Sequence, residues 1–448
     1  MSQSSGSAQA APTTSYAGQS PAASGAGAPA PGAVGGPAAA STTVGRTAKP
    51  ATSNTPGWLS QWRLLAASVA LIATGLTTLM LFSTWQGARS AAADTAQLVR
   101  VQTIKVDLLR ADALATNAFL VGGLEPAQQR AAYDSALAEV ERTMTDAAQA
   151  QPADRAALAA LSEAVLTYTS SMELARANNR QGFPVGAAYL NQASTGLRST
   201  ALPLVDNLVA ANQQRSRDAM SPLPWLVVIV PGLIGLGLLV YVNQLLARRF
   251  KRRLNVGVVI AAFATLVMMA LAGLAAGGQG SEDSRLLKGS YATVVDGAIA
   301  RSAANDAKAN ESLRLISRGS GATYEKKWEA AAATVVAKAS GDSLSSASGL
   351  WQTYGEAHHK IVILDTAGSW DDAVKAATST AADSSTAAFT ALDDGLRKVV
   401  DDAGLRTTSA LESGQTVFLA ELLLALVAGI AAAASAWRGI STRIEEYA

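Results

Sequence analysis

Cysteine is absent from the 448-residue sequence. No disulfide therefore ties the fold together, and no thiol is available as a nucleophile or metal ligand. Histidine is nearly absent: His358 and His359 are the two there are. Helix neighbours point about 100° apart, a poor arrangement for clamping one metal ion. Charge is scarce as well, at 16% of residues against the roughly 25% usual in soluble domains, and the net charge of +2 gives no general case for nucleic acid. No run alternates as a strand would, and no glycine-rich loop follows a strand to cradle phosphate. The scattered Ser and Asp residues have no base beside them to make a nucleophile. The expectation is a non-enzyme without a cofactor.

What the sequence does contain is apolar length. Four segments, 64–82, 223–242, 254–276 and 416–437, are each close to the ~20 residues that cross a hydrocarbon core as a helix. With their flanks they predict transmembrane helices at 64–85, 223–247, 254–277 and 416–437. The first is preceded by about 60 residues and exceeds the roughly 7–15 residue apolar core of a signal peptide, so it reads as a retained anchor. Residues 1–57 are Ala, Gly, Ser, Pro and Thr with few large apolar side chains, a composition that predicts a disordered tail.

Basic residues gather beside one membrane face. Arg248, Arg249, Lys251, Arg252 and Arg253 fill the short turn 248–253; Arg46, Lys49 and Arg63 precede the first span. Arg438 and Arg443 follow the last, with Glu445 and Glu446. By the positive-inside rule these flanks are cytoplasmic, which gives a multi-pass plasma-membrane protein with both termini inside. The basic turn also suits anionic membrane lipids. The long regions then lie outside; 88–222 holds 12 basic and 13 acidic residues, and 278–415 holds 14 and 18.

Both outer regions read as helical. Val101, Ile104, Leu108, Ala111, Ala115 and Ala118 recur at steps of three and four, as do Tyr133, Leu137, Val140, Met144 and Ala147. Leu158, Leu161, Val165, Tyr168, Met172 and Ala175 form a third seam. Leu190, Ser194, Leu197, Ala201, Leu204, Leu208 and Ala211 form a fourth. Four narrow seams predict a four-helix bundle at 86–222. A second is predicted at 278–415. Its seams are Leu287, Tyr291, Val294 and Ala298; then Tyr324, Trp328, Ala331 and Val335; then Leu344, Ala347, Trp351, Tyr354, His358 and Ile361; and a weak fourth from Val374 through Leu392 to Val399. Asp112-Ala113-Leu114-Ala115 pairs with Asp306-Ala307-Lys308-Ala309, Thr167-Tyr168 with Thr353-Tyr354, and Val205-Asp206-Asn207 with Leu392-Asp393-Asp394. The expected fold is all-α: four membrane helices and two tandem outer bundles from an internal duplication. Helices one and four of each bundle should run on into the spans and carry motion through them.

Few residues suggest chemistry. Glu421 is the one ionisable residue well inside an apolar segment, a candidate intramembrane switch or an interfacial group. Phe183, Pro184 and Trp370 sit at distal tips, where an aromatic can dock a partner or staple a helix start, with Ser369 as its cap. Asn178, Asn179 and Arg180 offer donors to a carboxylate ligand, against plain helix-end polarity. His358 reads as a packing histidine, with a pH sensor as the other reading. Gly273 with Gly277, and Pro231 with Gly232, Gly235 and Gly237, read as close helix packing or a dimer seam, so a homo-oligomer is open. Arg438, Gly439, Arg443 and Tyr447 are candidates for cytoplasmic output, to be read by a separate effector.

The chain ends Trp437-Arg438-Gly439-Ile440-Ser441-Thr442-Arg443-Ile444-Glu445-Glu446-Tyr447. With the Ala/Pro-rich tail, four spans and paired outer bundles, residues 58–448 resemble the GlnX-type membrane proteins of actinobacteria. That resemblance implies a relay: an outer glutamate- or glutamine-binding lipoprotein reports through the membrane protein to the soluble protein kinase G. An envelope scaffold and a direct ligand sensor of chemoreceptor type are the competing expectations.

Overall fold

The computed structural model describes residues 55–121, 125–181, 185–221, 225–250 and 255–445. Phe183, Pro184, Lys251, Arg252, Arg253 and Tyr447 lie outside them. The first half comprises α1 (Thr55–Val121), α2 (Ala127–Ala150), α3 (Arg155–Arg180), α4 (Val185–Gly196), a π turn (Leu197–Ala201), α5 (Leu202–Ala219) and α6 (Trp225–Phe250). The second comprises α7 (Val256–Lys288), α8 (Ser290–Ile316), α9 (Ala322–Lys338), α10 (Ser345–Thr366), α11 (Trp370–Thr378) and α12 (Ser385–Glu445). Single 3₁₀ turns, Pro152–Asp154 and Asp342–Leu344, join α2 to α3 and α9 to α10. The described residues are all-α. α1 begins at Thr55, three residues inside the stretch expected to be disordered, because a proline is tolerated in a helix's first turn.

Four helices, α1, α6, α7 and α12, are long and apolar enough to cross a membrane. Their apolar stretches carry exposed Ile72, Ile234, Phe263 and Val427, each more than half accessible, as lipid-facing positions require. Leu59 and Ala66, Leu239 and Leu246, Val258 and Ala261, and Ala432 and Ala436 form one core drawn from all four helices. Small residues set the spacing: Gly235 faces Ala73, Gly232 faces Met269, and Gly257 meets Gly439 backbone to backbone. Gly273 packs against Ile229, whereas the space beyond Gly277 is open. Thr74 and Thr77 satisfy their hydroxyls on the carbonyls of Ala70 and Ala73 one turn back.

α1 and α12 are antiparallel partners in a single register. Arg63 stacks on Trp437 at 4.0 Å, Thr74 meets Gly429, Val99 lies against Gly404, and Arg110 is 3.8 Å from Asp393. The paired stretch, 63–110, is about 70 Å long at 1.5 Å per residue. That is more than twice the ~30 Å hydrocarbon core, so the pair continues well beyond the membrane. Continuity fails at the two inner connections. α5 ends at Ala219 before α6 starts at Trp225, and α7 passes to α8 through a kink at Gly289 (φ −104°, ψ −109°). Of the four expected unbroken connections, only those of α1 and α12 are single helices.

The first core takes Val101 to Ala115 from α1, Tyr133 to Ala147 from α2, Leu158 to Ala175 from α3 and Leu190 to Leu208 from α4, the π turn and α5. Two residues of the fourth seam differ from expectation: Leu204 is only partly buried, and Ala211 is exposed while Asn212 is buried in its place. The π turn inserts an extra residue per turn, so Val205 rather than Leu204 follows Ala201 into the core. The second core takes Ala300, Ala304 and Ala307 from α8, Val335 from α9, Trp351 and Tyr354 from α10, and Leu392 and Leu396 from α12. The seam expected at Leu287 and Tyr291 faces elsewhere: these pack with Ala91, Leu98, Met220 and Leu411 near the membrane helices. The weak fourth seam is two elements, because α11 ends at Thr378 and Leu392 belongs to α12. α1 and α8 lie side by side and point the same way; Arg198 joins Asp112 to Asp306, and Leu120 shares a small core with Leu315.

Candidate functional site

At the end of the first core remote from the apolar segments, α1, α2 and α3 leave a cavity of about 260 Å³. α1 lines it with Ala115, Ala118 and Phe119, whose two alanines leave the gap, and α3 with Met172, Arg176, Asn179 and Arg180. The Arg176 guanidinium lies 3.9 Å from the centre of the Tyr133 ring, a cation–π contact that fixes its plane. Its Nη2 donates to one Glu125 oxygen at 3.4 Å, its Nε lies 3.2 Å from the other as an ion pair, and Nη1 donates to Glu173 at 3.0 Å. Arg130 of α2 pairs with Asp134 and Glu173, both at 3.0 Å. Burial pushes the Tyr133 hydroxyl up to about 12.

Two of the three candidate ligand contacts line this cavity. Asn179 donates to the Phe119 carbonyl at 3.4 Å, and Arg180 is exposed at the rim, with no ion-pair partner among the described residues. Asn178 instead donates to the Leu174 carbonyl of its own helix. Trp370 is elsewhere and half-buried: its indole donates to the Leu315 carbonyl at 2.9 Å, and Arg318 stacks on its ring at 3.7 Å. Ser369 stands at the N-cap of α11 as expected, but its hydroxyl makes no capping bond. Arg248 and Arg438 are exposed. Arg249 and Arg443 lie within α6 and α12. Gly439 sits where α12 touches α7, and Asn255 donates to its carbonyl at 2.9 Å. Glu421 keeps one carboxylate oxygen buried without a hydrogen-bond partner among the described residues.

The second half holds a closed polar cluster at its corresponding end. His358 stacks on Trp328 at 3.9 Å, with Nδ1 3.0 Å from Glu311 and Nε2 3.4 Å from Glu325. Lys308 donates to Glu311 at 2.7 Å and to Ser385 at 3.0 Å, and Ser385 donates to Glu311 at 2.6 Å. Burial alone would raise the Glu311 carboxyl; Lys308 and His358 outweigh it and hold it at about 2. Burial opposes the charge on His358, but Glu311 and Glu325 prevail and raise its pKa. Among the described residues no cluster is placed to hold a metal ion.

A third site went unseen in the sequence. Asp112, fully buried, accepts from Ser194 at 2.8 Å and from Arg198 at 2.6 Å, while Arg198 also donates to Asp306 across the two halves at 2.6 Å. Arg198 stands in the π turn, whose bulge aims it between α1 and α8. Nearby, Arg301 grips Asp393 at 2.7 and 3.0 Å. The signal was present as an Arg in a seam-bearing helix and an Asp beside seam Ala111, but apolar spacing alone does not pair them.

Residues 87–221 match the family model of an actinobacterial sensor domain. The sensor-domain match thus contains the cavity, Arg176 and Arg198, and stops short of the second core. Neither curated proteins nor solved structures returned a match. A sensor domain carried on four candidate membrane helices suggests a signal-sensing membrane protein.

Proposed function

We propose that the chain is a transmembrane signal relay of the plasma membrane, with both termini cytoplasmic. Its outer part detects a ligand or a ligand-loaded binding protein, and its cytoplasmic ends inform an effector. The observation that carries this reading is the α1–α12 pair, two unbroken helices in one register from the membrane core to the outer cores. A tilt or slide imposed at the sensor domain is delivered along such a rod without a hinge to absorb it. The resemblance to GlnX-type proteins supplies the finer reading: glutamate or glutamine presented by a lipoprotein outside, and a protein kinase inside.

The two halves are best understood as tandem bundles, at 86–222 and 278–415, from a duplication. Asp112 and Asp306, aligned by sequence, share Arg198. Asp206 and Asp393, aligned likewise, each take a base from the first helix of their half, Lys105 and Arg301. Tyr133 and Trp328 are each the seventh residue of their helices, and each carries a side chain from the next helix stacked on it, Arg176 and His358. Direct ligand sensing is the second reading, favoured by the cavity.

The test is a crosslinking pull-down from native membranes with and without added glutamate. Recovery of a solute-binding lipoprotein and a soluble kinase, in yields that change with glutamate, supports the relay. Recovery of wall-assembly proteins alone, indifferent to glutamate, replaces it with a scaffold.

A further inference from the structure

The geometry points to Arg176 as the anchor for a small carboxylate ligand, with Glu125 holding its place until the ligand arrives. This inference rests on the sensing role proposed above and names the chemistry of its ligand. Arg176 presents a planar fork, fixed on Tyr133, whose Nε and Nη2 edge is the one that takes a carboxylate in two parallel bonds. Glu125 occupies that edge at 3.2 and 3.4 Å, longer than the ~2.7–2.9 Å of well-made charge-assisted bonds. Glu173, by contrast, sits on the same helix as Arg176 at 3.0 Å and blocks a different edge. Glu125 therefore fills the fork loosely, as a competitor that a better-fitting carboxylate displaces.

The surroundings agree. Arg130, Arg176 and Arg180 line the cavity with Glu125, and Asp134 and Glu173 pair with the first two arginines, so the cation left to attract an anion is Arg180. Arg180 has no ion-pair partner among the described residues and stands at the rim to meet an incoming anion. Met172 and the alanines of α1 give the apolar floor usual in ligand sites. The second half lacks this vacancy at its stacked pair. There, Glu311 already neutralises His358 from within, together with Lys308 and Ser385, all nearly inaccessible. Exchange of Glu125 for a ligand frees the residue that leads into α2 from its tie to α3, which is a movement in the sensor domain itself.

The test uses the full chain in lipid nanodiscs and acetate as the minimal carboxylate, read by saturation-transfer NMR, with chloride at equal ionic strength as control. Glu125→Gln removes the competing charge and keeps the side chain's size. It should tighten acetate binding about tenfold, the factor expected for losing roughly 1.4 kcal/mol of competing charge-assisted bonding. Arg176→Lys in the Glu125→Gln background, which cannot form the fork, should cancel that gain, and Arg180→Gln should weaken binding in both backgrounds. No gain in Glu125→Gln, or a gain that survives Arg176→Lys or is reproduced by chloride, overturns the proposal. The difference between these variants reports the cavity. A null there leaves the relay standing, whereas acetate binding alongside glutamate-indifferent pull-downs removes the relay and keeps the site.

Discussion

Replacing Arg198 with methionine separates a buried carboxylate from its cation. Asp112 is wholly inaccessible and would keep only Ser194 at 2.8 Å and Tyr168 at 3.4 Å. Breaking a buried pair from one side destabilises by about 3–5 kcal/mol, because the remaining charge is desolvated without compensation. The second pair, to Asp306, adds little, since that carboxylate is about a third exposed. The loss should appear locally, as amide hydrogen exchange of the π turn and the neighbouring turn of α1 faster by roughly two to three and a half orders of magnitude. Asp112→Asn on top of Arg198→Met removes the stranded charge and should recover most of the protection, whereas Asp112→Asn alone should lose less than Arg198→Met. Exchange that changes less than about threefold in Arg198→Met, or a double variant no better than the single, would refute the assignment of Arg198 as the counter-charge that holds buried Asp112.

Three further outcomes follow from geometry. Gly257→Ala should lower the thermal midpoint and the yield of folded protein, since an added Cβ would stand 2.6 Å from the Gly439 Cα and nearer still to the Ser435 carbonyl; Gly237→Ala, with open space around it, should be neutral. Burial, partly offset by Arg301 and Arg110, pushes the Asp107 carboxyl from 3.8 up to about 6, so the folded state is favoured at low pH and loses that advantage as pH rises from 4 through 6. Asp107→Asn should flatten this fall and stabilise the chain at pH 7 by about 2–3 kcal/mol in denaturation curves, Arg301 keeping its two bonds to Asp393. His358 works in a different window. Its folded pKa lies above 6.5, so its contribution is complete below 6.5 and is lost as pH climbs through the folded value. Protection of α10 amides should therefore drop on the alkaline side of 6.5, and His358→Gln should abolish the dependence.

The sequence made the apolar framework readable. Seams such as Leu158, Leu161, Val165, Tyr168, Met172 and Ala175 all reach the first core because a surface helix shows its buried stripe directly. The spans were readable for the same reason. What spacing could not supply was which helix meets which. The α1–α12 register joins residues more than 280 positions apart, and the bonds from Arg198 to Asp112 and Asp306 join charged residues that a search for apolar stripes passes over. Tyr291 illustrates the limit: its seam was real, but it faces Met220 and Leu411 instead of the core of its own half. At the site, Asn179 and Arg180 were picked out by their position at a helix end. Arg176, one turn earlier and stacked on Tyr133, was not, because a single arginine on a polar face looks solvated until the neighbouring helix is placed.

The register between α1 and α12 also governs how the protein can be made. Thr74 and its partner Gly429 are 355 residues apart, so at about 5–20 residues per second the ribosome needs roughly 20–70 s to produce the second after the first. Through that interval α1 is already lodged in the bilayer with one face unmatched, including Arg63, whose ring partner Trp437 comes later still. Lipid or the insertion machinery must shelter that face. A stop codon in α12 ahead of Gly429 therefore leaves α1 without that partner as well as shortening α12.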